Sequence, residues 1–222
     1  MNNFTQMREN MIVGQFLPGL IKNKKILEYF GTIPREVFLP DKFKSLAYSD
    51  LNIRITKNRY LPSPFNTAKI FQEAEFKGSE MILLIGANLG YEATVVSRLV
   101  DTVVAIEEDV AMKETAEINL KKLNTENLLL LNSNHRLGHK KLSPYDLIII
   151  LEPELYVEDL LLDQLAEGGK LFYCEKQKSD INEGKLNVYY KTGKTYTKRK
   201  LFDLNIPSLA SNVLQDNKFD FS

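Results

Sequence analysis

The sequence predicts an α/β fold in which helices cover both faces of a doubly wound, mostly parallel sheet. Three observations lead to this class. Short apolar runs from residue 81 onward are each long enough for one buried strand, and segments that suit helices separate them. A glycine-containing turn follows the first of these runs, as at the ligand-binding edge of such sheets. Near the C-terminus, Thr192-Gly193 between two short segments predicts an antiparallel hairpin.

Composition is typical of a folded globular protein, since 44% of the 222 residues are hydrophobic and 26% are charged. Lysine plus arginine and aspartate plus glutamate both total 29, so no overall positive charge favours nucleic acid as a partner. No run approaches the roughly 20 apolar residues that cross a bilayer. A single cysteine, Cys174, and two histidines argue against a disulfide and against a multi-ligand metal site. We therefore expect a cytoplasmic protein that binds neither metal, membrane nor nucleic acid.

Residues 1–80 predict an N-terminal segment of short helices and loops. Pro34 interrupts any helix that approaches it. Ser63 followed by Pro64 is a typical helix start, because the hydroxyl caps the first turn and proline suits its first position. The other predicted elements are a helix over 3–13, a helix over 23–30 closed by Gly31, a short strand over 51–55 and a loop over 58–64.

Residues 81–222 predict the sheet, and together with 1–80 they form one compact domain. A helix is predicted over 153–166, where Gly168 and Gly169 end its pattern, and the last parallel strand follows it. The tail after residue 207 is irregular, with Phe219 and Phe221 as anchors onto the body. The predicted parallel strands cover 81–85, 102–106, 128–131, 146–151 and 170–174, and the hairpin covers 186–190 and 195–201.

The turn that follows the first parallel strand predicts a nucleoside site. Its glycines, Gly86 and Gly90, let a ligand approach the backbone closely. Glu107 ends the second strand 21 residues beyond Gly86, near the separation of about 20 at which an acid meets a ribose diol. The turn lacks the G-x-G-x-x-G pattern of a pyrophosphate site, so S-adenosylmethionine is favoured over NAD. Taken alone, these glycines also suit an ordinary turn and Glu107 a solvated acid, while Asn88 suits a left-handed backbone position.

Several further motifs occur in a fixed order. They read R-E-N-M-I-V-G-Q over 8–15, I-P-R-E-V-F-L-P over 33–40, A-Y-S-D over 47–50, I-G-A-N-L-G-Y over 85–91, V-A-I-E over 104–107, P-Y-D-L-I-I over 144–149 and Q-L-A-E-G-G-K-L over 164–171. This series resembles the protein-L-isoaspartate (D-aspartate) O-methyltransferase family along residues 7–174. The block over 33–40 is the most specific of them, because generic methyltransferases lack it.

The resemblance implies a Rossmann-like fold of the methyltransferase type and an enzyme that methylates isoaspartyl carboxylates in damaged proteins or peptides. It implies that Glu107 holds the ribose of S-adenosylmethionine and that Asn134 lies near the adenine. The segment 59–67 would cover the acceptor. The remaining implied residues are Gly86, Ala87, Asn88, Leu89 and Gly90 along the cofactor, and Arg59, Ser63 and Thr67 as candidates to orient the acceptor.

Some positions differ from the family pattern. Pro62 stands where the family has a serine, Leu84 where its first strand ends in an acid, and Asn88 where it has a glycine. A carboxylate acceptor is already ionised at neutral pH, so placement can suffice for transfer without that serine. The differences also leave a second hypothesis, a binding protein that keeps the fold without methylating. A nicotinamide enzyme is a third hypothesis, which the turn pattern disfavours.

Overall fold

The computed structural model describes residues 3–56, 59–123, 125–154, 156–176 and 184–205. The predicted anchors Phe219 and Phe221 lie outside these ranges. Within them, no helix has both the length and the apolar character needed to cross a membrane.

The described residues form six α-helices and nine strands. The helices are α1 (Phe4–Met11), α2 (Lys24–Thr32), α3 (Pro64–Ala74), α4 (Tyr91–Ser97), α5 (Val110–Lys122) and α6 (Asp159–Leu162). The strands are β1 (Ile53–Thr56), β2 (Arg59–Leu61), β3 (Met81–Ile85), β4 (Thr102–Glu107), β5 (Leu128–Asn132), β6 (Tyr145–Glu154), β7 (Leu165–Lys176), β8 (Gly184–Thr192) and β9 (Thr195–Leu204). A π-helical turn (Ile12–Phe16) extends α1, and short 3₁₀ turns cover Arg35–Val37, Asp41–Leu46 and Lys140–Leu142.

Seven strands form one sheet in the order β5-β4-β3-β6-β7-β8-β9, and β1 and β2 form a separate antiparallel hairpin. The strand β3 lies inside the sheet and runs parallel to β4 on one side and β6 on the other. This confirms the predicted fold class. The strands β7, β8 and β9 are antiparallel, and Thr192 pairs with Thr195 across a two-residue turn, which confirms the hairpin.

Both faces of the sheet are buried along its central strands, β3, β4 and β6. Along β3, Ile82 and Leu84 belong to one apolar cluster, whereas Leu83 and Ile85 belong to another. Successive strand residues point to opposite faces, so a strand covered on both sides must be apolar throughout. Leu84, at the family's acidic position, is therefore a core residue. The N-terminal segment packs into the cluster that contains Leu84, through aromatic rings such as that of Phe30.

Some predicted elements were wrong in type or extent. The predicted helix over 153–166 is replaced by α6, because β6 continues past Pro153 and β7 begins at Leu165. Pairing of Glu154 with Glu175 extends the sheet there, and such tertiary pairing outweighs a local helical pattern.

The N-terminal segment also differs from the prediction. Gly31 lies inside α2, which ends only where Pro34 forces extended backbone on the residue before it. Residues 59–61 of the predicted loop form β2, because they pair with β1. The first helix continues beyond residue 13 through its π-helical turn.

Cys174 in β7 allows a direct test of burial. The side chain is 1% exposed, and burial, with Glu175 as a second cause, raises the pKa of its thiol to about 12. We expect Ellman's reagent to react at least about 100-fold more slowly with the folded protein than with urea-unfolded protein at the same pH. The chain has one cysteine, so the whole thiol signal comes from Cys174. Similar rates in both states would contradict the placement of β7.

Candidate active site

The turn after β3 has left-handed backbone at three positions. Gly86, Asn88 and Gly90 have φ values of 85°, 52° and 95°. Asparagine tolerates this conformation better than most residues, which confirms the structural explanation of Asn88. Its Nδ2 donates to the Gly86 carbonyl oxygen at 3.0 Å, whereas its Oδ1 is buried without a hydrogen-bond partner. Buried polar atoms normally have partners, so this oxygen suits a bound ligand.

Glu107 ends β4 and is fully buried beside this turn. Its Oε2 accepts the backbone N–H of Asn88 at 2.9 Å, and its Oε1 accepts that of Asp109 at 3.0 Å. Burial raises the pKa of Glu107, and the charge of Arg59 and the two backbone donors oppose the rise. The structure thus brings together the acid and the turn that the sequence nominated.

Arg59 occupies a position that the sequence did not indicate. It lies on β2, is 6% exposed, and its Nη2 donates to Glu107 Oε2. Its Nη1 forms an ion pair with Glu152 Oε1. A residue nominated for the acceptor is therefore in contact with the residue nominated for the ribose.

Glu152 lies at the topological switch point of the sheet, where ligands bind in open α/β folds. It belongs to β6, which neighbours β3 on the side opposite β4. A Cβ atom on Gly86 would lie 3.0 Å from Glu152 Cγ, so glycine is needed for this close approach. Sequence reasoning missed Glu152, although its place in the last third of an apolar strand, at the same sheet edge as Gly86, was a usable signal.

His135 completes a buried group of four side chains, the others being Arg59, Glu107 and Glu152. The Glu108 backbone N–H donates to His135 Nε2 at 3.2 Å, so the ring proton is on Nδ1 and points to Glu152 Oε2, also at 3.2 Å. Burial, and secondarily Arg59, lowers the pKa of His135 to about 3. The imidazole is therefore neutral at physiological pH.

The neutral state of His135 predicts a pH-dependent stability. An unfolded histidine binds a proton below about pH 6.5 and the folded one only below about 3, so this group's contribution to stability falls as pH drops through that window. Buried acids with raised pKa values, such as Glu107, act with the opposite sign. We therefore compare the protein with His135→Asn. Between pH 7 and pH 5 the wild type should lose about 2 kcal/mol more unfolding free energy in urea titrations than the variant. Equal losses would mean that the folded imidazole is protonated.

The hydroxyls of Ser63 and Thr67 are used by the first turn of α3. Ser63 Oγ accepts the Asn66 backbone N–H at 3.1 Å, and Thr67 Oγ1 donates to the Ser63 carbonyl oxygen at 3.2 Å. The preceding Pro62 carbonyl oxygen accepts from Arg35 Nη2 at 2.8 Å. Arg35, from the most specific sequence block, therefore holds the segment that leads into α3.

The cap at Ser63 gives a stability prediction. Ser63→Ala should lower the unfolding free energy by about 1 kcal/mol, because one N–H of the helix start loses its acceptor. Ser63→Thr keeps a hydroxyl and should lose less. Urea titration measures both, and equal losses in the two variants would argue against the cap.

The other nominated residues have mainly backbone or peripheral roles. The N–H groups of Gly86 and Ala87 both donate to the Ile106 carbonyl oxygen, at 3.0 and 3.1 Å, which holds the turn to β4. The carbonyl oxygen of Leu89 accepts from Asn119 Nδ2 at 3.1 Å. Asn134 is exposed and its Oδ1 accepts the Arg136 N–H at 3.0 Å, so the structure does not join it to the buried group.

A mostly parallel sheet with this switch point, glycine turn and buried carboxylate defines a doubly wound, Rossmann-like α/β protein. The sequence identifies the family within the class. The chain belongs to the protein-L-isoaspartate (D-aspartate) O-methyltransferase family, whose sequence profile matches residues 6–202.

Individual relatives agree with this assignment. The protein-L-isoaspartate O-methyltransferase 1 of Syntrophobacter fumaroxidans is 32% identical over 171 residues, covering 77% of this chain and 80% of its own. The protein-L-isoaspartate O-methyltransferase of Herpetosiphon aurantiacus is 32% identical over 166 residues, with 75% and 74% covered.

Solved structures share the fold. A protein-L-isoaspartate O-methyltransferase superposes with a TM-score of 0.79 at 24% identity, covering 90% of this chain and 65% of that one. A structure from Plasmodium falciparum, described as an enzyme of the same kind in complex with S-adenosyl-L-homocysteine, gives 0.77 at 19% identity, with 96% and 100% covered.

Proposed function

We propose that the protein transfers a methyl group from S-adenosylmethionine to the carboxylate of isoaspartyl residues in proteins or peptides. The observation that carries the proposal is the buried Glu107 carboxylate, held by two backbone N–H groups beside the glycine turn. A carboxylate in this place suits a ribose diol, because its oxygens accept two hydroxyl hydrogen bonds. Family membership supports the reaction and the substrate.

The residues present fit this cofactor. Glu107 would accept the ribose hydroxyls, the turn over 86–90 would allow close backbone approach, and Asn88 Oδ1 is a buried acceptor without a partner. Two carboxylates, Glu107 and Glu152, share the single guanidinium of Arg59, and this excess of negative charge suits a cationic ligand. When bound, S-adenosylmethionine supplies an electrophilic methyl group.

The acceptor side requires placement rather than a base. A carboxylate with an ordinary pKa near 4 is ionised at neutral pH and needs no proton removed. The hydroxyls of Ser63 and Thr67 can therefore serve the helix without loss of the chemistry. The protein's task is to align the acceptor and to exclude water, and Arg35 supports it by holding Pro62.

A methylation assay tests the proposal. The protein is incubated with methyl-labelled S-adenosylmethionine and an isoaspartyl peptide, with the matched aspartyl peptide as control. We expect base-labile label, the mark of a methyl ester, in the isoaspartyl peptide alone. Binding of S-adenosylhomocysteine by calorimetry without transfer to any peptide would instead favour the binding-protein hypothesis. The relatives quoted above are named as methyltransferases and give that hypothesis no support.

We also propose the cytoplasm as the compartment, because a lone buried thiol suits reducing conditions. Cell fractionation tests this, and recovery in a membrane or extracellular fraction would contradict it.

A further inference from the structure

We propose that Arg59 competes internally with the cofactor's ribose for Glu107, so that binding of the cofactor must displace one end of its guanidinium. This inference rests on the proposed function, because it takes Glu107 as the ribose residue. It concerns a contact between two elements far apart in the sequence, the β2 strand and the end of β4.

The hydrogen-bond capacity of Glu107 sets up the competition. A carboxylate offers about four acceptor positions, two on each oxygen. Oε2 already accepts from the Asn88 N–H and from Arg59 Nη2, and Oε1 accepts from the Asp109 N–H. Three positions are thus taken. A ribose diol needs two, so one of the present donors has to leave.

Arg59 is the donor that can leave. The N–H groups of Asn88 and Asp109 belong to the backbone of the turn and of the residue that caps α5, so they cannot withdraw without unfolding their elements. Arg59 reaches Glu107 through a side chain with several rotatable bonds. Its Nε is also buried without a hydrogen-bond partner, so the guanidinium is incompletely satisfied where it lies.

Glu152 provides the second anchor. Its Oε1 pairs with Arg59 Nη1, whereas its Oε2 accepts from His135. A displaced Arg59 can therefore keep one ion pair while it releases the other, and the buried positive charge is never left alone. The released Nη2 becomes a donor for the acceptor carboxylate that the proposed reaction requires.

Ligand binding to Arg59→Gln tests the competition, with S-adenosylhomocysteine as the probe. This ligand has no net charge at neutral pH. A gain in its affinity on removal of Arg59 therefore does not arise from weaker repulsion between two positive charges. The variant should bind it about tenfold more tightly than the wild type, because the diol no longer has to break a charged hydrogen bond. Calorimetry gives both dissociation constants. Adenosine should show the same gain, whereas 2′,3′-dideoxyadenosine, which lacks the diol, should show none.

Two further variants keep the test decisive. Arg54→Gln removes an exposed arginine from the same hairpin and should leave the affinity unchanged. The double variant Arg59→Gln/Glu152→Gln removes both partners of the second ion pair and keeps Glu107. It should show the same gain in affinity, and it takes the place of Arg59→Gln if that variant does not fold by circular dichroism. Equal or weaker binding by a folded Arg59 variant, or an equal gain for the dideoxy ligand, would overturn the inference while leaving the proposed function standing. No binding by any variant or by the wild type would contradict both.

Discussion

Gly86→Val should abolish detectable binding of S-adenosylhomocysteine. The valine Cβ would lie 3.0 Å from Glu152 Cγ, and its side chain would fill the space at the switch point between β3 and β6. Valine at φ of 85° is also strained, at a cost of roughly 1–2 kcal/mol of stability. Calorimetry measures the binding, and urea titration measures the loss of stability.

Gly78→Val is the matched control for this strain. Gly78 has φ of 99°, and no atom lies within 4 Å of the place that a Cβ would take, so it shares the backbone strain without the site. We expect a comparable loss of stability and unchanged affinity. If both valine variants lost affinity equally, or if Gly86→Val bound normally, the turn would not be the cofactor site.

Glu107→Ala should weaken binding of S-adenosylhomocysteine by about 1.5–3 kcal/mol, because hydrogen bonds to a charged group are worth that much. This corresponds to a rise of roughly 10- to 150-fold in the dissociation constant. Glu107→Ala should lower the affinity for S-adenosylhomocysteine, whereas Arg59→Gln should raise it, although the two residues form one ion pair. A merely structural pair would lose affinity in both variants.

Glu108→Ala is the control for Glu107→Ala. Glu108 is the adjacent acid, and its side chain is 47% exposed. Its removal should leave the affinity nearly unchanged. The reverse pattern, in which Glu108→Ala weakens binding and Glu107→Ala leaves it unchanged, would show that Glu108 binds the ribose.

The sheet was predictable from local patterns. The residues of β3 and β4 are apolar almost throughout, and these strands are buried on both faces. A strand of this kind needs apolar side chains at every position, so its sequence carries the signal by itself. The predicted helix over 153–166 was wrong because its local pattern is helical, whereas the strand pairing between β6 and β7 is a tertiary interaction that the local pattern does not contain.

Part of the candidate site was predictable as well. Gly86 and Glu107 follow consecutive parallel strands, and the carboxyl ends of such strands meet at one edge of the sheet. Their spacing along the chain therefore implies their proximity in space. The cap at Ser63 was likewise visible, because a helix cap involves only neighbouring residues.

By itself, the sequence determined the fold class, the family and the Glu107 turn, because these depend on periodicity, on an ordered series of motifs and on the ends of adjacent strands. Only the tertiary structure decided that Arg59 contacts Glu107 and Glu152 and that His135 is buried beside them. These contacts join β2 to the ends of β4 and β6, and no repeating pattern links residues so far apart. Which long side chain reaches a buried carboxylate depends on how separate elements pack, and that is settled only when the whole chain has folded.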